Sequence, residues 1–118
     1  MTLREIWESF TDAFTRDYPE MYDICLDTLR IMASNSLGVH EILPSLIEEG
    51  QRLHFLRVAY FLEHELLAAA YRCYGCELDF ELARHLVACI ESGWWPTCEV
   101  APSPVLDLTE ALSPQDDV

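Results

Sequence analysis

Residues 51–74, QRLHFLRVAYFLEHELLAAAYRCY, contain the longest helix-periodic run of apolar side chains in the sequence. One stripe of this run consists of Leu53, Leu56, Tyr60, Leu67, Ala70, Tyr71 and Tyr74. A second stripe consists of Val58, Phe61, Leu62 and Leu66. A helix that is apolar around most of its circumference is usually covered by neighbours on several sides. We therefore predict that 51–74 is the long central helix of a helical bundle.

Glycines divide the rest of the chain, because each of the four follows a stretch with helical periodicity. Glycine adopts a positive φ at little cost and commonly ends a helix. The pattern predicts helices over 3–16, 39–49 and 80–92 in addition to 51–74. A capping box of Thr2 and Glu5 is expected at the start of the first helix, and Asp79 is expected to cap the helix over 80–92. Another helix begins with a cap at Asp17-Tyr18-Pro19-Glu20 and ends near residue 34, and a last short helix covers 105–112.

The fold class that follows is all-α. A chain of 118 residues has room for one domain, and no segment alternates clearly enough to predict a strand. We predict a single compact bundle of five to six helices with a long central helix. An extended C-terminal segment begins at Trp94, where prolines become frequent. The helical domain covers 1–112, and 113–118 is a disordered tail.

The charge balance excludes several classes of partner. Asp and Glu number 21 against 7 basic residues, all of them arginine, which gives a net charge of −14. Non-specific nucleic-acid binding and attachment to anionic membranes both need positive charge. No uninterrupted apolar stretch reaches the length of a membrane span, about 18 residues. Five irregularly spaced cysteines are typical of reduced thiols, so a cytoplasmic protein is expected.

Acidic side chains form stripes on the first two predicted helices. The spacing places Glu5, Glu8 and Asp12 on one face of helix one, and Glu20, Asp23 and Asp27 on one face of helix two. Solubility needs a net charge of only about 2–8 for a small domain. The excess predicts that these six carboxylates bind a basic protein surface. The alternative interpretation is that the acidity is an adaptation shared by the whole proteome of the source organism.

A basic surface on a protein is most often a nucleic-acid channel. In size, charge and helicity the sequence resembles phage anti-CRISPR and anti-restriction proteins and the immunity proteins of nucleases. That resemblance implies a non-enzymatic inhibitor that occupies the basic surface of a nucleic-acid-binding protein. Trp94 and Trp95 are the second predicted contact, because adjacent tryptophans outside a helix cannot easily both enter one core, and exposed tryptophans are frequent binding anchors. A homo-oligomeric structural module that depends on these tryptophans is an alternative.

Two alternatives involve chemistry at defined side chains. Cys73, Cys76, His85 and Cys89 could form a Cys3His zinc site between neighbouring helices. Arg57 and His64 match the arginine-to-histidine spacing of the HEPN ribonucleases, which are also small and helical. That resemblance implies a dimer cleft in which the pair contacts the scissile phosphate. Val58 stands where that family usually has asparagine. The main prediction includes no catalytic residue, metal or cofactor.

Overall fold

The computed structural model describes residues 1–14, 16, 18–48 and 50–100. Within these residues the helices are α1 (Leu3–Phe14), α2 (Glu20–Asn35), α3 (Val39–Leu46), α4 (Arg52–Tyr60), α5 (Leu67–Tyr74) and α6 (Asp79–Ser92). A π-helical segment, Phe61–Leu66, joins α4 to α5 without interruption. The described residues contain no strand, and a single isolated bridge pairs Thr2 with Glu99. The all-α bundle is confirmed. The predicted helix over 105–112 and the tail over 113–118 lie outside the described residues.

Several predicted helix boundaries are displaced. Helix one was expected to reach residue 16 but ends at Phe14, and the helix expected over 39–49 ends at Leu46. The last of the described helices begins at Asp79, so that Leu78 is its N-cap and the predicted Asp79 side-chain cap does not form. Helix ends depend on which terminal amides find partners, and periodicity in the sequence does not report those partners.

Positive φ angles end three of the helices. Gly75 and Gly93 follow α5 and α6 with φ of 70° and 77°, which confirms their predicted role. At the end of α2 the left-handed residue is Ser36, with φ of 57°. Gly38 instead precedes α3 as its N-cap and donates its amide to Glu41 Oε2 at 2.8 Å. The chain therefore uses a serine where a glycine would be less strained.

The π-helical segment corrects the register of the central helix. Val58, Leu62, Leu66 and Ala70 are fully buried and spaced four residues apart. In an α-helix of 3.6 residues per turn, a spacing of four drifts by about 40° at each step. The wider π-helical turn offsets this drift, so all four side chains face the core. The sequence pattern predicted the helix but not its π-helical segment.

α2 and α6 pack most extensively against each other and run antiparallel. Arg84, near the start of α6, donates from Nε to the carbonyl oxygen of Ala33, near the end of α2, at 3.0 Å. At the opposite end of the pair, Tyr22 and Ile90 line one cleft. The core includes the fully buried side chains of Leu3, Met21, Leu29, Met32, Leu43, Leu62, Leu82 and Leu86.

Aromatic contacts hold α1 against the bundle. Phe10 stacks on Phe61 of the π-helical segment, with ring centroids 3.9 Å apart and planes 12° from parallel. Trp7 lies beside Tyr22 of α2, with centroids 5.5 Å apart. Trp7 and Phe10 are both buried, so this face of α1 is part of the core and its opposite face is exposed.

The extended C-terminal segment returns to the N-terminus as far as residue 100. The amino group of Met1 donates to Glu99 Oε2 at 3.0 Å and to the carbonyl oxygen of Val100 at 2.9 Å. The Val100 amide donates to the carbonyl oxygen of Met1 at 2.8 Å. Val100 is buried, so residues 93–100 return to the N-terminus, and Trp95 lies beside α1.

Candidate functional site

The predicted acidic residues of α1 have different environments. Glu5 Oε1 accepts hydrogen bonds from the backbone amide and the hydroxyl of Thr2, both at 3.1 Å, and these bonds lower the pKa of Glu5. Glu8 accepts from Arg4 Nε at 2.8 Å. Asp12 is exposed and has no ion pair within the described residues. Glu5 therefore serves as part of the predicted capping box, whereas Glu8 and Asp12 face solvent.

The predicted acidic residues of α2 are all exposed. Glu20 and Asp23 occupy the first turn, where the positive end of the helix dipole stabilises negative charge, and neither is ion-paired among the residues described. Asp27 lies 3.9 Å from Arg30, which also contacts Glu91 on α6 at 2.9 Å. The start of α2 thus presents unneutralised carboxylates, and its middle is bridged to α6.

The two adjacent tryptophans have different exposure. Trp94 is 69% exposed, and its backbone amide donates to Ser92 Oγ at 3.2 Å. Trp95 is half-buried and packs against the core. The sequence predicted that the two rings do not enter one core together, and Trp94 lies on the surface as expected.

A cleft of about 290 Å³ lies between α1, α2 and the end of α6. Its lining, which we call the aromatic cleft, consists of Arg4, Trp7, Glu8, Thr11, Tyr22, Ile90, Gly93 and Trp95. The sequence pattern predicted Glu8 and Trp95 as contact residues but not Trp7 or Tyr22. Both residues lie on helix faces that the apolar pattern directs toward other helices, and no sequence signal indicates that they border a cleft.

The alternative zinc site would need the side chains of Cys73, Cys76, His85 and Cys89. Cys76 Sγ instead donates to Glu81 Oε2 at 2.9 Å. The ring of His85 stacks on Tyr74, with centroids 4.1 Å apart, and the Tyr74 hydroxyl lies 3.4 Å from Cys89 Sγ. Over the described ranges, no three His, Cys, Asp or Glu side chains are grouped so that they could hold a metal ion. The four residues are therefore not brought together as that alternative requires.

Three of the thiols are held in their protonated form. Burial raises the pKa of Cys25 well above its ordinary value. Burial, together with the neighbouring Cys98 thiol, raises the pKa of Cys73 to about 12. The hydrogen bond to Glu81 raises the pKa of Cys76. Because the thiolate is the nucleophilic form of cysteine, none of these three environments activates a nucleophile at neutral pH.

Arg57 and His64, the pair that resembles the HEPN motif, lie on α4 and on the π-helical segment respectively. The His64 side chain is exposed, and its ring centroid lies 5.0 Å from that of Tyr60. Glu63, next to His64, contacts His40 Nε2 at 3.0 Å. The carboxylates that flank His64 in sequence give this region negative charge, which opposes a phosphate backbone.

No helix of the described residues combines the length and apolar character that a membrane span requires. No protein-family model, curated protein or solved structure matches the chain. The geometry of the acidic helices and of the aromatic cleft is therefore the basis of the functional assignment.

Proposed function

We propose that this protein is a non-enzymatic interaction module whose acidic faces on α1 and α2 bind a basic surface of a nucleic-acid-handling protein. One observation supports the proposal most: Asp12, Glu20 and Asp23 are exposed and have no ion pair in the part of the chain that the structure describes. With a net charge of −14, the chain has too few arginines to neutralise them. These carboxylates are available to cations on a partner.

The cost of leaving the carboxylates unpaired argues for a use in binding. Like charges three or four residues apart on a helix repel each other by a few tenths of a kcal/mol per pair. A basic partner replaces that repulsion with attraction and accelerates association at low salt. The attraction is screened over about 8–10 Å at physiological ionic strength, so binding of this kind is strongly salt-dependent.

The most specific form of the proposal is an inhibitor. A small acidic helical protein that enters a basic channel competes with the nucleic acid for the same arginine and lysine side chains. The proposed activity is of the kind that phage anti-CRISPR proteins, anti-restriction proteins and nuclease immunity proteins have. In this proposal the protein acts in the cytoplasm, needs no cofactor and does not itself bind nucleic acid or a membrane.

Charge reversal on α2 tests the proposal. We expect the Glu20→Lys/Asp23→Lys variant to capture fewer nucleic-acid-binding proteins from a host lysate at low salt than the original protein does. The matched control is Glu48→Lys/Glu77→Lys, which makes the same charge change at exposed residues outside α1 and α2. Added duplex DNA should compete with the captured proteins, and far-UV circular dichroism should show that both variants remain helical.

Equal loss of capture in both variants would mean that only total charge matters and would contradict a role for α2. If the amount of captured protein changes with neither the salt concentration nor added duplex DNA, the inhibitor proposal itself is contradicted.

A homo-oligomeric module is the second candidate function, favoured by Trp94, whose side chain is 69% exposed. In that case light scattering of the purified protein shows a dimer or larger species that becomes monomeric in the Trp94→Ala variant. A monomer at every concentration measured would remove this candidate and leave Trp94 available for a different partner.

A further inference from the structure

Three aromatic side chains and a carboxylate line the aromatic cleft. Trp7 and Tyr22 have ring centroids 5.5 Å apart, and Trp95 forms the wall contributed by the C-terminal segment. Glu8, which also lines the cleft, is half exposed and points a carboxylate at its edge. Aromatic faces attract cations through the negative potential of the ring. The cleft therefore has the chemistry of a site for a cationic group.

One guanidinium already lies at the edge of this cleft. Arg4 Nε donates to Glu8 Oε1 at 2.8 Å, and both side chains are more than half exposed. The Glu8 carboxylate therefore already binds a guanidinium group in its present position. Exposed pairs of this kind contribute little stability because solvent screens them, so a guanidinium from outside the chain can replace Arg4 at small cost.

We propose that the aromatic cleft binds an arginine side chain of the basic partner, whose guanidinium replaces Arg4 at Glu8 and packs on the rings of Tyr22 and Trp95. This inference rests on the proposed function, because the arginine belongs to the basic partner. A chain of net charge −14 also attracts cations to its surface. A volume of about 290 Å³ has room for one arginine side chain. Arginine fits better than lysine because its planar group both stacks on rings and pairs with carboxylates.

Three short peptides serve as probes: acetyl-Gly-Arg-Gly-amide, its lysine counterpart, and its citrulline counterpart, which keeps the shape of arginine without the charge. Each is titrated into the full chain while the indole N–H signals of the tryptophans are followed by NMR. We expect the arginine peptide to shift the Trp95 signal saturably with a millimolar dissociation constant. The citrulline peptide should bind about tenfold more weakly, because it lacks the cation–π and ionic attraction.

Variants at the edge of the cleft make the test specific. Glu8→Gln should weaken arginine-peptide binding several-fold, and Arg4→Ala should strengthen it by freeing the carboxylate. Arg16→Ala is the matched control, because it removes the same charge from an exposed residue that does not line the cleft. Trp95→Leu, followed through the indole signal of Trp7, which also lines the cleft, should abolish binding. Glu8→Gln keeps the test valid if Trp95→Leu disturbs packing.

Equal binding of the arginine and citrulline peptides would overturn the inference, as would a gain in Arg16→Ala as large as the gain in Arg4→Ala. Shifts at Trp94 without shifts at Trp95 would place the cation outside the cleft and would also overturn it. The proposed function is judged separately, since capture that depends on Glu20 and Asp23 can persist when the cleft binds no arginine. Conversely, absence of charge-dependent capture while the arginine peptide still binds would contradict the proposed function but not the site in the cleft.

Discussion

The guanidinium of Arg30 on α2 lies 2.9 Å from the carboxylate of Glu91 on α6 and 3.9 Å from Asp27 on its own helix. One arginine therefore connects the most extensively packed helix pair at its surface. All three side chains are about half exposed, so water screens the interaction and limits its contribution to stability.

A double-mutant cycle should show that the Arg30–Glu91 pair contributes little. We expect a coupling free energy of about 0.2–1 kcal/mol between Arg30→Ala and Glu91→Ala, because exposed ion pairs have values in this range. The measurement is urea unfolding of the original protein, both single variants and the double variant. A coupling free energy well above 1 kcal/mol would mean that the pair is far less solvated than its exposure indicates. High salt should reduce the measured coupling.

Replacing Phe61 should have a large effect on folding. Phe61 is 1% exposed and stacks on Phe10, so Phe61→Ala removes contacts on both α1 and the π-helical segment. The expected loss is about 3–5 kcal/mol in the free energy of unfolding, much of the total for a small domain.

Phe61→Leu is the milder companion variant if Phe61→Ala does not fold. Trp94→Ala, at an exposed residue, is the control and should change stability by no more than about 0.5 kcal/mol. Equal effects of Phe61→Ala and Trp94→Ala on the urea midpoint would contradict the burial of Phe61.

The capping box should make stability depend on pH. Hydrogen bonds from Thr2 lower the pKa of Glu5 below its ordinary value of 4.5. The ionised Glu5 therefore contributes stability that is present above the unfolded-state pKa and is lost as pH falls through the lower folded-state value. We expect Glu5→Gln, which keeps a hydrogen-bond acceptor but removes the charge, to be less stable than the original protein at neutral pH.

That difference in melting temperature should shrink as the pH is lowered below the folded-state pKa of Glu5. Glu48→Gln, at an exposed residue between helices, controls for the loss of one negative charge. A Glu5→Gln difference that stays constant over the whole acid range would show that the carboxylate charge is not involved.

Tryptophan fluorescence should separate the exposed ring from the other two. Trp94 is 69% exposed and Trp7 is 5% exposed, whereas Trp95 is half-buried. Acrylamide should quench the original protein in two phases, and Trp94→Phe should remove the more accessible phase. Acrylamide is preferred to iodide because the acidic surface repels an anion. Equal quenching before and after Trp94→Phe would indicate that this ring is covered, as in a dimer.

Local patterns account for the helices. Thr2 and Glu5 form the predicted capping box because their side chains need only the adjacent turn, and Gly75 and Gly93 end helices because glycine adopts a positive φ at little cost. The alternating wide and narrow spacing of apolar residues in 51–74 likewise indicated a buried helix. Acidic stripes on α1 and α2 follow from helical geometry, which places residues three and four apart on one face.

The sequence by itself determined the all-α class, the central helix and the excess of negative charge, since these depend on periodicity, capping and composition. The tertiary structure decided the π-helical register, the different exposure of Trp94 and Trp95, and the aromatic cleft. The cleft brings together α1, α2, α6 and the segment after Gly93, and such contacts arise from packing between elements distant in sequence. Helix periodicity specifies which face of each helix is buried, but not which neighbour covers that face.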